Sequence, residues 1–234
     1  MQDLRDVVTL AEAADRLGMS AAKLRDLIRA GQVPARRQAD RWVVPVSEVR
    51  RLEGLPRPEG RPFSAQGAWA MLAILADQPV ELSPSRRSQL RRSLLDRDID
   101  ELAGRLRRRA ARQLKFAHPD RLPALADDAR TVVTGWAGAE QAGASLLSAR
   151  DEATEVYVHQ PDLAALVADY GLAEPVEVAN VVLRVVPDRL PVPHEQGVAA
   201  APVVGLDLLE SGDARGRDAG RAMFAEAVEQ FRAS

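Results

Sequence analysis

The chain has 234 residues, no cysteine, and a formal charge of −2 built from 32 basic and 34 acidic side chains. Its hydrophobic fraction of 46% suits a globular chain long enough to bury a sizeable core in one or two domains. The absence of cysteine excludes a disulfide framework and a thiolate metal site. No apolar run approaches the ~18 residues of a membrane span, and the start MQDLRDVV has no secretory apolar region, so a cytoplasmic protein is expected. The charge is unevenly spread: residues 1–54 carry a net +2, residues 86–121 a net +7, and residues 122–234 a net −10. Such asymmetry points to a nucleic-acid partner for the basic half. Only Lys23 and Lys115 are lysines, so the arginine bias alone says little about phosphate binding.

Residues 1–54 read as a first domain. Thr9 and Glu12 form a capping box ahead of a helix carrying Leu10, Ala13, Ala14 and Leu17. Gly18 breaks that helix, Ser20 caps a second one with Leu24, Leu27 and Ile28 on its apolar face, and Gly31 ends it. Two short helices around a glycine-containing turn are the helix-turn-helix pattern. Residues 33–37 and 41–45 then read as a hairpin wing, and Ser47 as the cap of a short helix with Val49 and Leu52. The run TLAEAADRLGMSAAKLRDLIRAGQVPARRQADRWVVPVSEVRRLE resembles the excisionase/MerR-type winged helix-turn-helix over about 45 residues. On this reading Ala22, Lys23, Arg25, Asp26 and Arg29 face outward. Ser20 and the helix N-terminus suit a phosphate, and the Arg25 fork suits guanine O6/N7. Arg36, Arg37 and Arg41 on the wing suit phosphates or a minor groove. The module's modest charge favours a homodimer on paired half-sites of double-stranded DNA. Asp26 and the small Ala21 and Ala22 keep open a helix-turn-helix retained only for protein contacts.

Residues 55–63, rich in proline and glycine, read as a linker. A basic helical segment at 64–121 follows. Ser64 caps a helix with Ala68, Met71, Leu72 and Leu75, and Pro84 opens the next. From Asp98 to Ala117 the spacing predicts one helix with Leu102, Leu106, Ala110 and Leu114 on one face. Arg105, Arg108, Arg112 and Lys115 recur on another, a stripe able to contact phosphates or to meet the acidic half of the chain. His118-Pro119-Asp120 after a basic helix resembles the loop of J-domain co-chaperones, but the other J-domain elements are missing from the sequence.

Residues 122–234 read as an acidic α+β domain with a small sheet, so the whole chain is assigned to the α+β class. Strands are expected at 131–134, 155–159 and 180–186, and helices at 135–144, from Pro161 to Gly171, at 201–209 and at 213–231. The sequence has no HExxH, GxGxxG, P-loop or GxSxG motif, and His118, His159 and His194 are scattered. Ser211-Gly212-Asp213 reverses the order of a nucleotidyltransferase motif. Neither a catalytic residue, a metal ligand nor a cofactor is expected.

The wording HPDRLPALADDARTVVTGWAGAEQAG, EVYVHQPDLAALVADYGL, NVVLRVV and VVGLDLLESGDARGRDAGRAMF resembles AbiEi-type antitoxins of type IV toxin–antitoxin systems over residues 61–234. The resemblance implies an N-terminal repressor of the protein's own operon and a C-terminal domain that counteracts a nucleotidyltransferase toxin. The excisionase-like form of the first module departs from that family's usual winged helix. A stand-alone regulator or recombination factor, with an acidic domain that senses a ligand or partner, is the alternative.

Overall fold

The computed structural model describes residues 2–3, 6–55, 60–141, 153–175 and 177–234. Strand β1 (Gln2–Asp3) precedes a winged unit made of β2 (Val7–Thr9), α1 (Leu10–Arg16), α2 (Ala21–Arg29), β3 (Arg36–Gln38), β4 (Arg41–Pro45) and α3 (Val46–Glu53). Central β4 pairs antiparallel with both β2 and β3. Ala39 and Asp40 close the β3–β4 hairpin with φ of 46° and 60°, the positive pair whose twist matches the flanking strands. Thr9 and Glu12 close the capping box, and Gly31 is left-handed as expected. The β2 pairing was missed in the sequence, where Thr9 read only as a cap. Ser47 corrects a second expectation: α3 starts one residue before it, with Pro45 at the cap position and no side-chain cap. Ala13, Ala14, Leu17, Leu24, Ile28, Val33, Val44 and Val49 form the unit's own core.

The body begins with α4 (Ala65–Leu75), capped by Ser64 and buried on every side from Gly67 to Ala73. It continues with α5 (Pro84–Asp96) and α6 (Ile99–Leu106), capped by Ser83 and Asp98. The helix expected over 98–117 stops at Leu106. A 3-10 turn spans Arg107–Arg109, and Ala111–Lys115 is a strand, β5. Tertiary context overrides the helical spacing, because β5 pairs along its whole length with the buried strand β9 (Val181–Val186). The J-domain likeness falls with this correction, since a strand and not a helix leads to His118. His118 caps a 3-10 turn at Pro119–Arg121.

After α7 (Leu122–Ala126) come β6 (Thr131–Val133), α8 (Gly135–Gln141), β7 (Thr154–His159), α9 (Leu163–Tyr170) and β8 (Val178–Ala179). Past β9 lie β10 (His194–Glu195), β11 (Val198–Ala199), α10 (Ala201–Leu209) and α11 (Ala214–Ala233). The expected extension of α8 beyond Gln141 lies outside the described residues, as do positions 56–59 of the expected linker. The main sheet runs β10-β11-β6-β7-β9-β5, with β7 parallel to β9 and β6 parallel to β11. All six residues of β9 are buried, so it reads as an apolar run broken only by Arg184 and not as an alternating one.

One face of the sheet sets Val156, Val158, Leu183 and Val185 against Leu125 of α7 and Leu166 of α9. The other joins Tyr157 and Val186 to Trp69, Leu102, Leu106, Val204, Phe224 and Val228 from the helical layer. Helices α10 and α11 cross at Gly205 and Gly220. A Cβ on Gly220 would lie 2.2 Å from the Leu209 backbone nitrogen, so no larger residue fits that crossing. The molecule is an α+β protein with the winged unit at its N-terminus.

Candidate nucleic-acid interface

Helix α2 is the second helix of the α1–α2 pair. Ser20 Oγ accepts the Lys23 backbone N–H at 3.2 Å, which fixes the helix start. Leu24 and Ile28 are buried, and this anchoring leaves Ala22, Lys23, Asp26 and Arg29 exposed, with Arg25 half-buried between the two faces. Asp26 and Arg29 approach at 3.8 Å, but both are about 70% exposed, and such a pair contributes little. In the wing, Arg37 stands opposite Trp42 and lies 5.5 Å over its ring, while Arg41 is exposed beside the hairpin turn. Arg36 differs from its neighbours. It pairs in register with the buried Val43 and lines the seam between the winged unit and the body. The arrangement gathers Ser20 at the cap and Ala22, Lys23, Arg25 and Arg29 along α2, and keeps Arg36, Arg37 and Arg41 on the hairpin, with Arg36 at the seam.

The basic stripe read from residues 105–115 is dispersed. Arg105 pairs with Glu101 at 3.1 Å and lies 4.7 Å over the Phe63 ring. Arg112 is largely buried against Glu48, and buried Lys115 pairs with Glu174. Arg108 is exposed. Helix α5 leaves Arg87, Arg91 and Arg92 exposed, with Arg91 lying 4.7 Å over Phe231.

The residues that join the two units were not legible as a site. Glu48 and Arg51 of α3 are buried and pair at 3.0 Å. Glu48 also takes Arg112 from β5, and Arg51 Nη1 donates to the Glu210 carbonyl at 3.4 Å. The Glu210 carboxylate accepts from Arg109 at 2.6 Å and from Arg184 at 2.8 Å. Arg184 in turn reaches Glu155 at 2.6 Å and Asp207 at 3.1 Å. Tyr157 Oη donates to Asp207 at 2.8 Å and accepts from Arg109 Nε at 3.0 Å, while Asp207 also takes Arg109 and the Thr134 hydroxyl.

Four guanidinium groups and four carboxylates thus neutralise one another inside the protein. Burial would raise the Glu210 carboxyl, but Arg109 and Arg184 outweigh it and hold it well below the usual carboxylate range. Burial likewise pulls the Arg109 guanidinium down, and Glu210, Tyr157 and Asp207 reverse that shift. The sequence signal for this chain was Arg184, a lone charge inside VVLRVV; a strand so apolar buries its arginine only with a partner.

Backbone contacts close the seam. The Gly31 carbonyl accepts from the Arg112 N–H at 2.7 Å, and Gln32 Nε2 donates to the Ala110 carbonyl at 3.0 Å. A Cβ on Gly31 would sit 2.7 Å from the Ala111 Cβ, so the end of α2 touches the β5 edge itself. Strand β1 adds an antiparallel pairing with β8.

Among the described residues, no three histidine, aspartate or glutamate side chains converge as a metal site. None of the described helices is long and apolar enough to cross a membrane. Comparisons with curated proteins and with solved structures found no match. Residues 7–52, from the first residue of β2 to the last turn of α3, match the family described as a helix-turn-helix domain.

Proposed function

We propose that the chain is a cytoplasmic repressor-antitoxin of the AbiEi kind, which binds operator DNA of its own operon and counteracts a nucleotidyltransferase toxin. The observation that carries the DNA-binding half is the exposed face of α2 within a winged unit. The first turn of α2 enters the major groove, where the Arg25 fork reads a base edge. Lys23, Ser20 and Arg29 set the register on phosphates, and Arg37 and Arg41 hold the flanking backbone. One unit offers few phosphate contacts, so a homodimer on two half-sites roughly 34–36 Å apart supplies the affinity. The wording of residues 61–234 supports the antitoxin half.

Two experiments test the halves separately. Purified full-length protein should retard a fragment of its own promoter at low salt; no retardation removes the repressor half. Co-expression with the adjacent gene should restore growth that this gene alone suppresses; no rescue removes the antitoxin half. An integrase as the neighbouring gene would favour the recombination factor instead.

A further inference from the structure

The seam between the winged unit and the body is tight along Glu48 and Arg112 but hollow beside them. A cavity of about 210 Å³ opens between Ile28 on the rear of α2, Trp42 of the wing and Leu114 of β5. That volume is the size of a small-molecule site. Its walls are mainly apolar, with further lining from Val33, Pro34 and Ala35. Arg36, Arg112, Lys115 and Glu174 are its charged lining; Arg112 is already taken by Glu48, and Lys115 is paired with Glu174. Lys115 is buried, whereas the side chain of its partner Glu174 is 83% exposed. The ammonium is therefore held by the cavity, and the carboxylate is contributed from the solvent side, where a ligand's carboxylate could take its place.

We propose that this cavity is an effector site for a small organic acid, with a compact apolar body against Ile28, Trp42 and Leu114 and its carboxylate on Lys115. Occupancy bears on the back of the reading helix and on the β5 edge together. A ligand that prefers one docking angle therefore changes operator affinity, and DNA changes ligand affinity by the same factor. This coupling rests on the DNA-binding reading; binding in the cavity does not.

Calorimetry on the full-length protein with benzoate and its neutral isostere benzamide tests the site. Benzoate should bind in the millimolar range, about tenfold tighter than benzamide, the size of one charge-assisted contact. Lys115→Met should abolish that preference. Ala35→Phe, which fills the cavity from the wing side and leaves Arg112 in place, should abolish binding of both. Equal binding of the two probes to the unaltered protein, no benzoate binding, or full binding to Ala35→Phe would each overturn the proposal. Saturating benzoate should also shift promoter affinity, and unchanged affinity with benzoate bound overturns the coupling to α2. A promoter that is never retarded removes the regulator reading while the calorimetric comparison still judges the cavity.

Discussion

Two basic regions of this protein differ in how much of their charge is already paired inside the fold. Helix α2 and the wing carry few cations, yet Lys23, Arg29, Arg37 and Arg41 are exposed. Residues 86–121 carry the larger excess and divide it: Arg87, Arg91, Arg92 and Arg108 are exposed, whereas Arg109 is buried among Asp207, Glu210 and Tyr157, and Arg112 against Glu48. Formal charge therefore overstates what residues 86–121 can offer a phosphate. What matters to a phosphate is whether a guanidinium already has a carboxylate, and how dry that pair is. An exposed arginine exchanges water and counterions for phosphate at little cost. A buried one has been desolvated and would leave its partner uncompensated if it moved.

The sharpest way to break this contrast is to remove one member of the buried set. Arg109→Ala should destabilise the fold by about 3–5 kcal/mol, because Asp207 and Glu210 keep their burial without their counter-charge. Urea denaturation measures it, and a loss within surface-substitution range would show that the network is not energetically coupled. Acid should act on the same place. The Glu210 carboxyl is held below its ordinary 4.5 in the folded state, so the unfolded chain takes up that proton first. The stability Glu210 contributes is present above about pH 4.5 and falls as pH drops below it. Thermal midpoints from pH 7 to pH 3 should show this acid limb, and Glu210→Gln should flatten it; an identical limb in both proteins contradicts the assignment.

The exposed region should respond in a different observable. Arg25→Ala should leave folding intact and cost about 1–3 kcal/mol at one base pair, seen as relaxed preference among operator variants. Arg37→Ala should weaken all sequences alike and lower the salt slope of binding by about 1. A sequence-dependent loss there would reverse the division of labour between α2 and the wing. Arg108→Ala sets the lower bound: an exposed side chain on the 3-10 turn should change stability by no more than about 0.5 kcal/mol.

The sequence revealed the local structure more readily than its relations. The capping box at Thr9 and Glu12, the Ser20 cap and the glycine at 31 each depend on neighbours within a few residues, so the winged unit was legible almost to its ends. Strand β2 was not, because three residues acquire their strand character only from β4. The same reason hid β5. Its arginine and leucine spacing satisfies a helix, and only the register with β9 across the sheet makes it extended. At the interface, the exposed positions of α2 followed from its apolar face. Arg36 lies on the wing as expected, but its half-buried place at the seam is decided by the body behind the wing. Buried Glu48 and Arg51 were invisible because their partners Arg112 and Glu210 lie far along the chain.

That separation has a consequence for how the protein comes into being. Arg51 and the Glu210 carbonyl that it meets are 159 positions apart. At ~5–20 residues per second, a ribosome needs roughly 8–32 seconds to travel between them. The winged unit, whose buried core lies wholly within residues 13–49, can close during that interval while Glu48 and Arg51 still face water. The exposed face of α2 can therefore form on the nascent chain before the ion pairs that hold the winged unit to the body.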